Sequence, residues 1–225
     1  MVFDCKFSLK ILILFFNIFI TNFSFSQNSI DYSINASLLT ETDQLIIKQK
    51  ISFFNQSDLL ENIYLNDWAN SYSSTKSPLA ERLVEEYTRS FYLSAKSKRG
   101  YTLISNIYVN GSEAKWKRNK NNLDIIEINI NKPIKKGVVN IDLSYIIKLP
   151  SSKFTGYGKI KKHQYFIENF FISLSKFEKN KQVLYSNLDL EEAPINTSKF
   201  KVELKLDKNL DVFSSLDLIN FNEEK

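Results

Sequence analysis

A chain of 225 residues, 43% of them hydrophobic, can bury one sizeable core, because the buried fraction rises with length. Thirty basic against 25 acidic residues leave a net +5, or +4 once Asp4, Lys6 and Lys10 leave with a leader, too mild a bias for a nucleic-acid footprint. One cysteine, Cys5, and one histidine, His163, cannot assemble a three- or four-ligand zinc centre, and the scarcity of imidazole argues against a Ser-His-Asp triad.

Residues 1–26 read as a secretory signal peptide. Lys6 and Lys10 form the positive region, Ile11 to Ile20 the apolar core, and Ser24-Phe25-Ser26 the small-residue cleavage stretch. The apolar run falls short of the ~20 residues that span a bilayer, and the competing reading is a retained interfacial anchor. Cys5 precedes the run, so it is not placed as a lipoprotein cysteine, and the mature chain carries no thiol. The mature domain is expected over 28–225, exported to the periplasm or secreted, with no membrane association after cleavage.

From Ile30 the pattern has period two: Ile30, Tyr32, Ile34, Ala36 and Leu38 alternate with polar residues, predicting a strand with one buried face. After the polar Thr40-Glu41-Thr42-Asp43 turn, Leu45, Ile47, Ile51 and Phe53 predict an antiparallel partner. A short third strand is expected in Ile63–Trp68. The period then becomes helical. Ser77 is a candidate N-cap, Pro78 suits the first turn, and Leu79, Leu83, Tyr87, Phe91 and Ala95 fall four apart. Arg82 with Glu86 and Glu85 with Arg89 sit at helical pair spacing, and Lys96, Lys98 and Arg99 would meet the negative end of the dipole before Gly100. One amphipathic helix is therefore predicted over about 78–97. Its polar face mixes both signs, which favours core packing over a membrane surface.

Beyond it the chain returns to strands. Val109-Asn110-Gly111-Ser112 signals a tight hairpin, since Asn-Gly tolerates positive φ. Ile126, Ile128 and Ile130 alternate with polar residues, as do Val139, Ile141, Leu143, Tyr145 and Ile147, with Pro133 and Gly137 between them. Phe200, Val202, Leu204 and Leu206 predict a late strand, and Leu210–Leu218 a further one. The expected fold is mainly β: an antiparallel two-sheet, saddle- or sandwich-like domain with one inserted helix.

Chemistry is sparse. Lys115-Trp116-Lys117-Arg118-Asn119-Lys120 interleaves one aromatic with positive charge, but a single Trp is no stacking platform and a solvated hairpin arm would be charged anyway. Glu85-Glu86 and Glu191-Glu192 are adjacent pairs, which point to different sides of an element and so do not form a glycosidase-type acid and base. His163 lies in a basic, loop-like run with no Asp, Glu or Cys at ligand spacing. Asn35, Asn55, Asn110 and Asn196 begin sequons, frequent by chance in a chain rich in Asn and Ser. In Tyr165-Phe166-Ile167-Glu168-Asn169-Phe170-Phe171-Ile172-Ser173-Leu174, the single carboxylate of Glu168 stands among apolar side chains and must reach solvent, a partner or a site.

Taken in order, several stretches resemble one family. Leu65-Asn66-Asp67-Trp68-Ala69-Asn70-Ser71-Tyr72 followed by a helix is similar to the strand, Trp, Asn and Tyr turn of exported bacterial members of the aminopeptidase N family of zinc metallopeptidases. Pro133-Ile134-Lys135-Lys136-Gly137 with Ile141, Tyr145, Leu149 and Pro150 resembles that family's proline, glycine, strand, leucine-proline segment. The likeness continues through Phe154-Thr155-Gly156-Tyr157-Gly158 and the Glu168 stretch to Phe200-Lys201-Val202-Glu203-Leu204.

The resemblance implies the family's non-catalytic N-terminal β domain, cut short at its C-terminal end. It implies a partner, a metallopeptidase catalytic domain in cis or in trans, and only indirect contact with peptide substrate. The catalytic motifs, G-x-M-E-N and H-E-x-x-H, are absent from this chain, so no metal or catalytic residue is expected in it, and zinc belongs to the catalytic domain. Glu168 falls where family N-terminal domains lend a loop residue, often Gln, to the rim of the substrate pocket; Glu replaces the usual Gln, and Asn169 the common aromatic. The competing readings are a carboxylate at a domain interface or on the surface for Glu168 and, for the chain, a stand-alone exported β-sandwich module that binds glycan or protein.

Overall fold

The computed structural model describes residues 29–220 apart from 179–180 and 190–192; the signal-peptide stretch, Cys5 and Glu191-Glu192 lie outside the described residues. The first half contains β1 (Ile30–Leu39), β2 (Gln44–Asn55), β3 (Leu60–Asn66), a 3-10 turn (Trp68–Ser73), α1 (Pro78–Glu85) and β4 (Tyr101–Val109). Then follow β5 (Ser112–Glu113), β6 (Lys115–Arg118), β7 (Ile125–Ile134) and β8 (Gly137–Lys148). The remainder forms β9 (Gly158–Lys161), β10 (Gln164–Phe166), β11 (Ser173–Leu174), β12 (Phe177–Glu178), β13 (Lys181–Gln182) and β14 (Ser198–Lys205).

The large sheet runs β14-β1-β2-β8-β4-β5 and the second β11-β3-β7-β6, with β9-β10 and β12-β13 as small ribbons. Pairing is antiparallel except at the edge, where β14 lies parallel to β1 with Tyr32 opposite Phe200. The period-two stripes face inward as the alternation predicts: Ile34, Ile47, Ile51, Ile141 and Ile147 are buried together with Ile63 and Leu65 of β3 and Ile126 and Ile128 of β7, in one apolar cluster. Each such residue removed from water contributes roughly 1.5–3 kcal/mol, which is why the register cannot slip by one position. Asn110 and Gly111 take φ of 49° and 78° in the β4–β5 turn, the geometry that their identity predicts.

Three expectations are corrected. The helix ends at Glu85, not near residue 97. Ser77 does cap it, accepting from the Ala80 N–H at 3.3 Å, and Leu79 and Leu83 are buried. The periodicity broke down at Tyr87, which has φ of +63° and a fully solvent-facing ring, whereas Phe91 is buried from a later turn against Tyr72 and Phe154. Four-residue spacing alone did not distinguish a continuous helix from a short helix followed by turns that return one aromatic to the same core. Glu85 and Arg89 therefore lose their helical spacing, while Arg82 and Glu86 keep theirs, 3.4 Å apart. Lys96 and Lys98 sit in a separate 3-10 turn. Secondly, the third strand is Leu60–Asn66, and Trp68 opens the 3-10 turn rather than ending the strand. Thirdly, Leu210–Leu218 forms no strand; past the end of β14 Leu210 packs half-buried against the core, with its N–H on the Asp207 carbonyl, and residues 211–218 run exposed.

Candidate functional site

A cavity of about 370 Å³ opens where five separate parts of the chain converge. Trp68, Ala69 and Tyr72 come from the 3-10 turn, and Arg82, Leu83, Glu86 and Thr88 from α1 and its exit. Phe154, Thr155 and Tyr157 come from the loop after β8, Glu168 and Asn169 from the loop after β10, and Asn187 from a late loop.

A buried polar scaffold holds the 3-10 turn. Asp67 is 1% exposed; it accepts from the Thr102 hydroxyl at 2.8 Å and from the Arg118 guanidinium at 2.7 Å. The Asn70 side-chain amide donates to the Leu123 carbonyl at 2.8 Å, and its oxygen accepts from the Thr102 N–H at 3.1 Å. Behind the turn, one oxygen of Asp124 accepts from the Ser71 hydroxyl at 3.1 Å and from the Asn187 N–H at 2.7 Å, tying the late loop to the cavity wall. These side-chain bonds tie the turn to β4, to β6, to the loop before β7 and to the late loop.

Asp124 is itself 1% exposed, and its other carboxylate oxygen has no hydrogen-bond partner among the described residues. Burial pushes its carboxyl above the usual carboxylate range, with Asp67 adding to the rise, against the lowering effect of the Asn187 and Ser71 bonds. The folded state therefore holds this proton more tightly than the unfolded chain. Its stabilising contribution is complete below the unfolded value of about 4 and is lost as pH rises through the folded value. Asp124→Asn should remove that loss: the stability of the variant relative to wild type, followed by urea unfolding across pH, should improve steadily above about pH 4. A difference curve that stays flat would assign the titration to another group.

The Glu168 loop is fastened from beneath by groups that the core stripe concealed. Gln49, at an inward position of β2, donates to the Ile172 carbonyl at 2.5 Å and accepts from the Ile172 N–H at 3.2 Å and from the Tyr145 hydroxyl. The Tyr32 hydroxyl accepts from the Leu174 N–H at 2.9 Å. Phe171 packs at 5.6 Å from Tyr32 and 5.0 Å from Phe200, and of Phe166, Phe170 and Phe171 only Phe166 is strongly exposed. The β9–β10 ribbon is pinned by Asp43, which pairs with Lys159 at 2.7 Å and Lys148 at 3.3 Å and accepts from the Tyr165 hydroxyl at 2.9 Å. Burial pushes the Asp43 carboxyl up, but these donors together bring it below its ordinary value.

With its loop held at both ends, Glu168 stands exposed on the cavity lining beside Asn169, whose φ is +43°. It shares the lining with Arg82 and Glu86. The Tyr72 hydroxyl is 2.6 Å from Thr155 Oγ1; burial pushes it up to about 12, the Thr155 bond and Arg82 oppose the rise, and the Glu168 charge adds to it. Two carboxylates, one guanidinium and a ring-lined wall can receive a small cationic or amine-bearing group.

The other candidates resolve plainly. Arg118 serves Asp67, Lys117 pairs with Glu127 at 3.2 Å and Trp116 is half-buried, so the basic run is a structural arm. His163 sits exposed in the β9–β10 turn at φ +57°. The Asn55 and Asn196 side-chain amides are committed to backbone carbonyls. Among the described residues no group of three His, Cys, Asp or Glu could hold a metal ion, and no helix is long and apolar enough to cross a membrane.

Sequence reasoning missed Tyr157, Asn187 and Asp124 as parts of this site. They reach it from loops whose meeting has no local signature; near Asn187 the local devices are turn bonds between Ser186 and Asp189 and from the Leu188 N–H to the Ser186 hydroxyl.

No family model matches the sequence, and no curated protein matches it. Among solved structures, an M1 zinc metallopeptidase from Deinococcus radiodurans aligns over 80% of this chain and 32% of its own, at 13% identity and a TM-score of 0.38. A two-domain M1 zinc metallopeptidase bound to L-arginine aligns over 80% and 32%, at 11% identity and a TM-score of 0.39. A yeast LTA4 hydrolase in complex with bestatin aligns over 55% and 15%, at 12% identity and 0.31. The chain thus spans between 15% and 32% of the length of these structures.

Proposed function

We propose that this chain acts as the exported, non-catalytic front β domain of an aminopeptidase N-like zinc metallopeptidase. In this reading it packs against a catalytic domain that carries the zinc and shapes the pocket for the amino end of a peptide, with Glu168 facing the amine. One observation carries the reading. The stretches that resemble the family fall in two regions distant in sequence, Asp67 to Tyr72 and the neighbouring Phe154 to Gly158 and Tyr165 to Leu174, yet both regions contribute side chains to one cavity.

Zinc and the base that activates water are assigned to the partner domain, which supplies a Lewis acid and a nucleophile. This chain's own residues would hold and orient: Glu168 attracts an ammonium, Gln49 and Tyr145 fix the loop that presents it, and the Trp68–Tyr72 turn walls the cavity. The stand-alone glycan-binding reading draws no comparable support. The outward face of the large sheet mixes polar Ser33, Asn35, Lys48, Lys50 and Asp142 with exposed Ile46, Phe54, Leu103, Tyr108 and Val138, and it lacks a row of Trp and Tyr: Trp68 is buried and Trp116 lies half-buried on β6.

Purified residues 30–225 should contain no stoichiometric zinc and should not hydrolyse an aminoacyl p-nitroanilide. Joined to an aminopeptidase N-like catalytic domain that depends on it, the chain should support turnover, with Glu168→Gln raising KM by about tenfold more than it changes kcat, as expected for a charge-assisted contact of about 1.4 kcal/mol. Zinc-dependent peptidase activity by the chain alone would overturn the assignment.

A further inference from the structure

The exit of α1 carries an unexplained strain. The Thr88 N–H bonds the Leu83 carbonyl at 2.7 Å and the Tyr87 N–H bonds the Val84 carbonyl at 3.0 Å, which together close a Schellman motif. That closure places its central residue in the left-handed region, where glycine is usual and a bulky side chain is a genuine outlier. Here the residue is Tyr87, at φ +63°, and its ring is 95% exposed, so packing within the chain does not offset the strain. Its two neighbours, Glu86 and Thr88, both line the cavity that Glu168 lines.

We propose that Tyr87 is a ligand-contact residue on the rim of this cavity, its ring lying against the backbone of a peptide whose amino end enters toward Glu168. The inference rests on the amine-binding reading of Glu168. The lining carries Glu86 and Glu168 against the single guanidinium of Arg82, together with the rings of Trp68, Tyr72 and Phe154, which suits an ammonium group on a short organic body. A peptide longer than the cavity leaves across the rim, where Glu86 and Thr88 line it on either side of Tyr87 in the chain. An exposed aromatic held in a strained backbone there provides a rigid, amphipathic contact of the kind that concentrates binding energy.

The test uses the whole chain and two probes, Ala-Ala-Phe-Ala amide with a free amino end and its N-acetylated form, titrated while the NMR signals of Trp68 are followed. Wild type should bind the free-amine peptide at roughly millimolar Kd and the acetylated form more weakly. Tyr87→Phe should bind like wild type. Tyr87→Gly should lose about three- to tenfold in affinity for the free-amine peptide, the worth of one aromatic contact, while melting about 2–4 °C higher as the left-handed strain is relieved. Weaker binding in a more stable protein is an outcome that a merely structural role would not give. Unchanged affinity in Tyr87→Gly, or no peptide binding by wild type, overturns the rim contact. Equal binding of both peptides by wild type, with Tyr87→Gly weakening both alike, would sink the amine role of Glu168 and leave the rim contact standing.

Discussion

Arg118→Ala is expected to lower the stability of the domain by about 3 kcal/mol, the lower end of the range for breaking a buried ion pair from one side. The reason is the asymmetry of the pair: Asp67 is 1% exposed whereas the Arg118 side chain retains 19%, so truncating the arginine leaves a buried carboxylate with only the Thr102 hydroxyl. The guanidinium also donates to the Leu123 carbonyl at 3.0 Å and to the Thr102 carbonyl at 3.3 Å, so the lost fork would unfasten β4 from the loop before β7. Arg118→Lys should recover only part of the loss, because an ammonium cannot reproduce a planar fork. Urea denaturation reads both. A cost of less than about 1 kcal/mol, the usual worth of an exposed pair, would return the Lys115–Lys120 run to the class of solvated arms and leave the Trp68–Tyr72 turn without its principal anchor.

Gly158→Ala should be still more damaging, at more than about 3 kcal/mol, as overpacking and backbone strain add. A Cβ at this position would lie 2.1 Å from the Pro150 carbonyl oxygen and 2.9 Å from its carbon, and the residue has φ of +113°. The contact cannot relax cheaply. The Lys159 N–H donates to that same Pro150 oxygen at 2.8 Å, and the Ser152 N–H returns a bond to the Lys159 carbonyl at 3.0 Å. Gly156→Ala provides the comparison: φ is +94° but the added Cβ would meet nothing within 4 Å, so only the backbone term of about 1–2 kcal/mol remains. Thermal unfolding should separate the two substitutions clearly, and similar melting temperatures would show that the Pro150 contact yields. Because Tyr157 adjoins Gly158 and lines the cavity, the first substitution should also disturb Trp68 signals.

The β architecture was legible because burial of one sheet face writes itself into the sequence at period two. Ile34, Ile47, Ile141 and Ile147 turned out buried where the alternation placed them. The Ser77 cap and the Asn110-Gly111 turn were legible for a related reason, since each depends on residues within four positions. The helix was overextended because Leu79, Leu83, Tyr87 and Phe91 keep a helical rhythm that the backbone abandons at Tyr87. The expected strand over Leu210–Leu218 failed because alternation reports amphipathic character, not the presence of a neighbouring strand.

The sequence by itself determined the alternating core, the helix start and the poverty of metal-ligating and nucleophilic side chains. Tertiary structure alone decided that Gln49, an inward polar residue in an otherwise apolar stripe, would clamp Ile172, and that Asp67, Asp124 and Asn187 would meet behind the 3-10 turn. It also decided that Glu168 would share a cavity with Trp68 and Arg82. The physical reason is range: hydrophobic periodicity and capping are set by neighbours along the chain, whereas a buried polar group is tolerated only by the partner that folding brings to it.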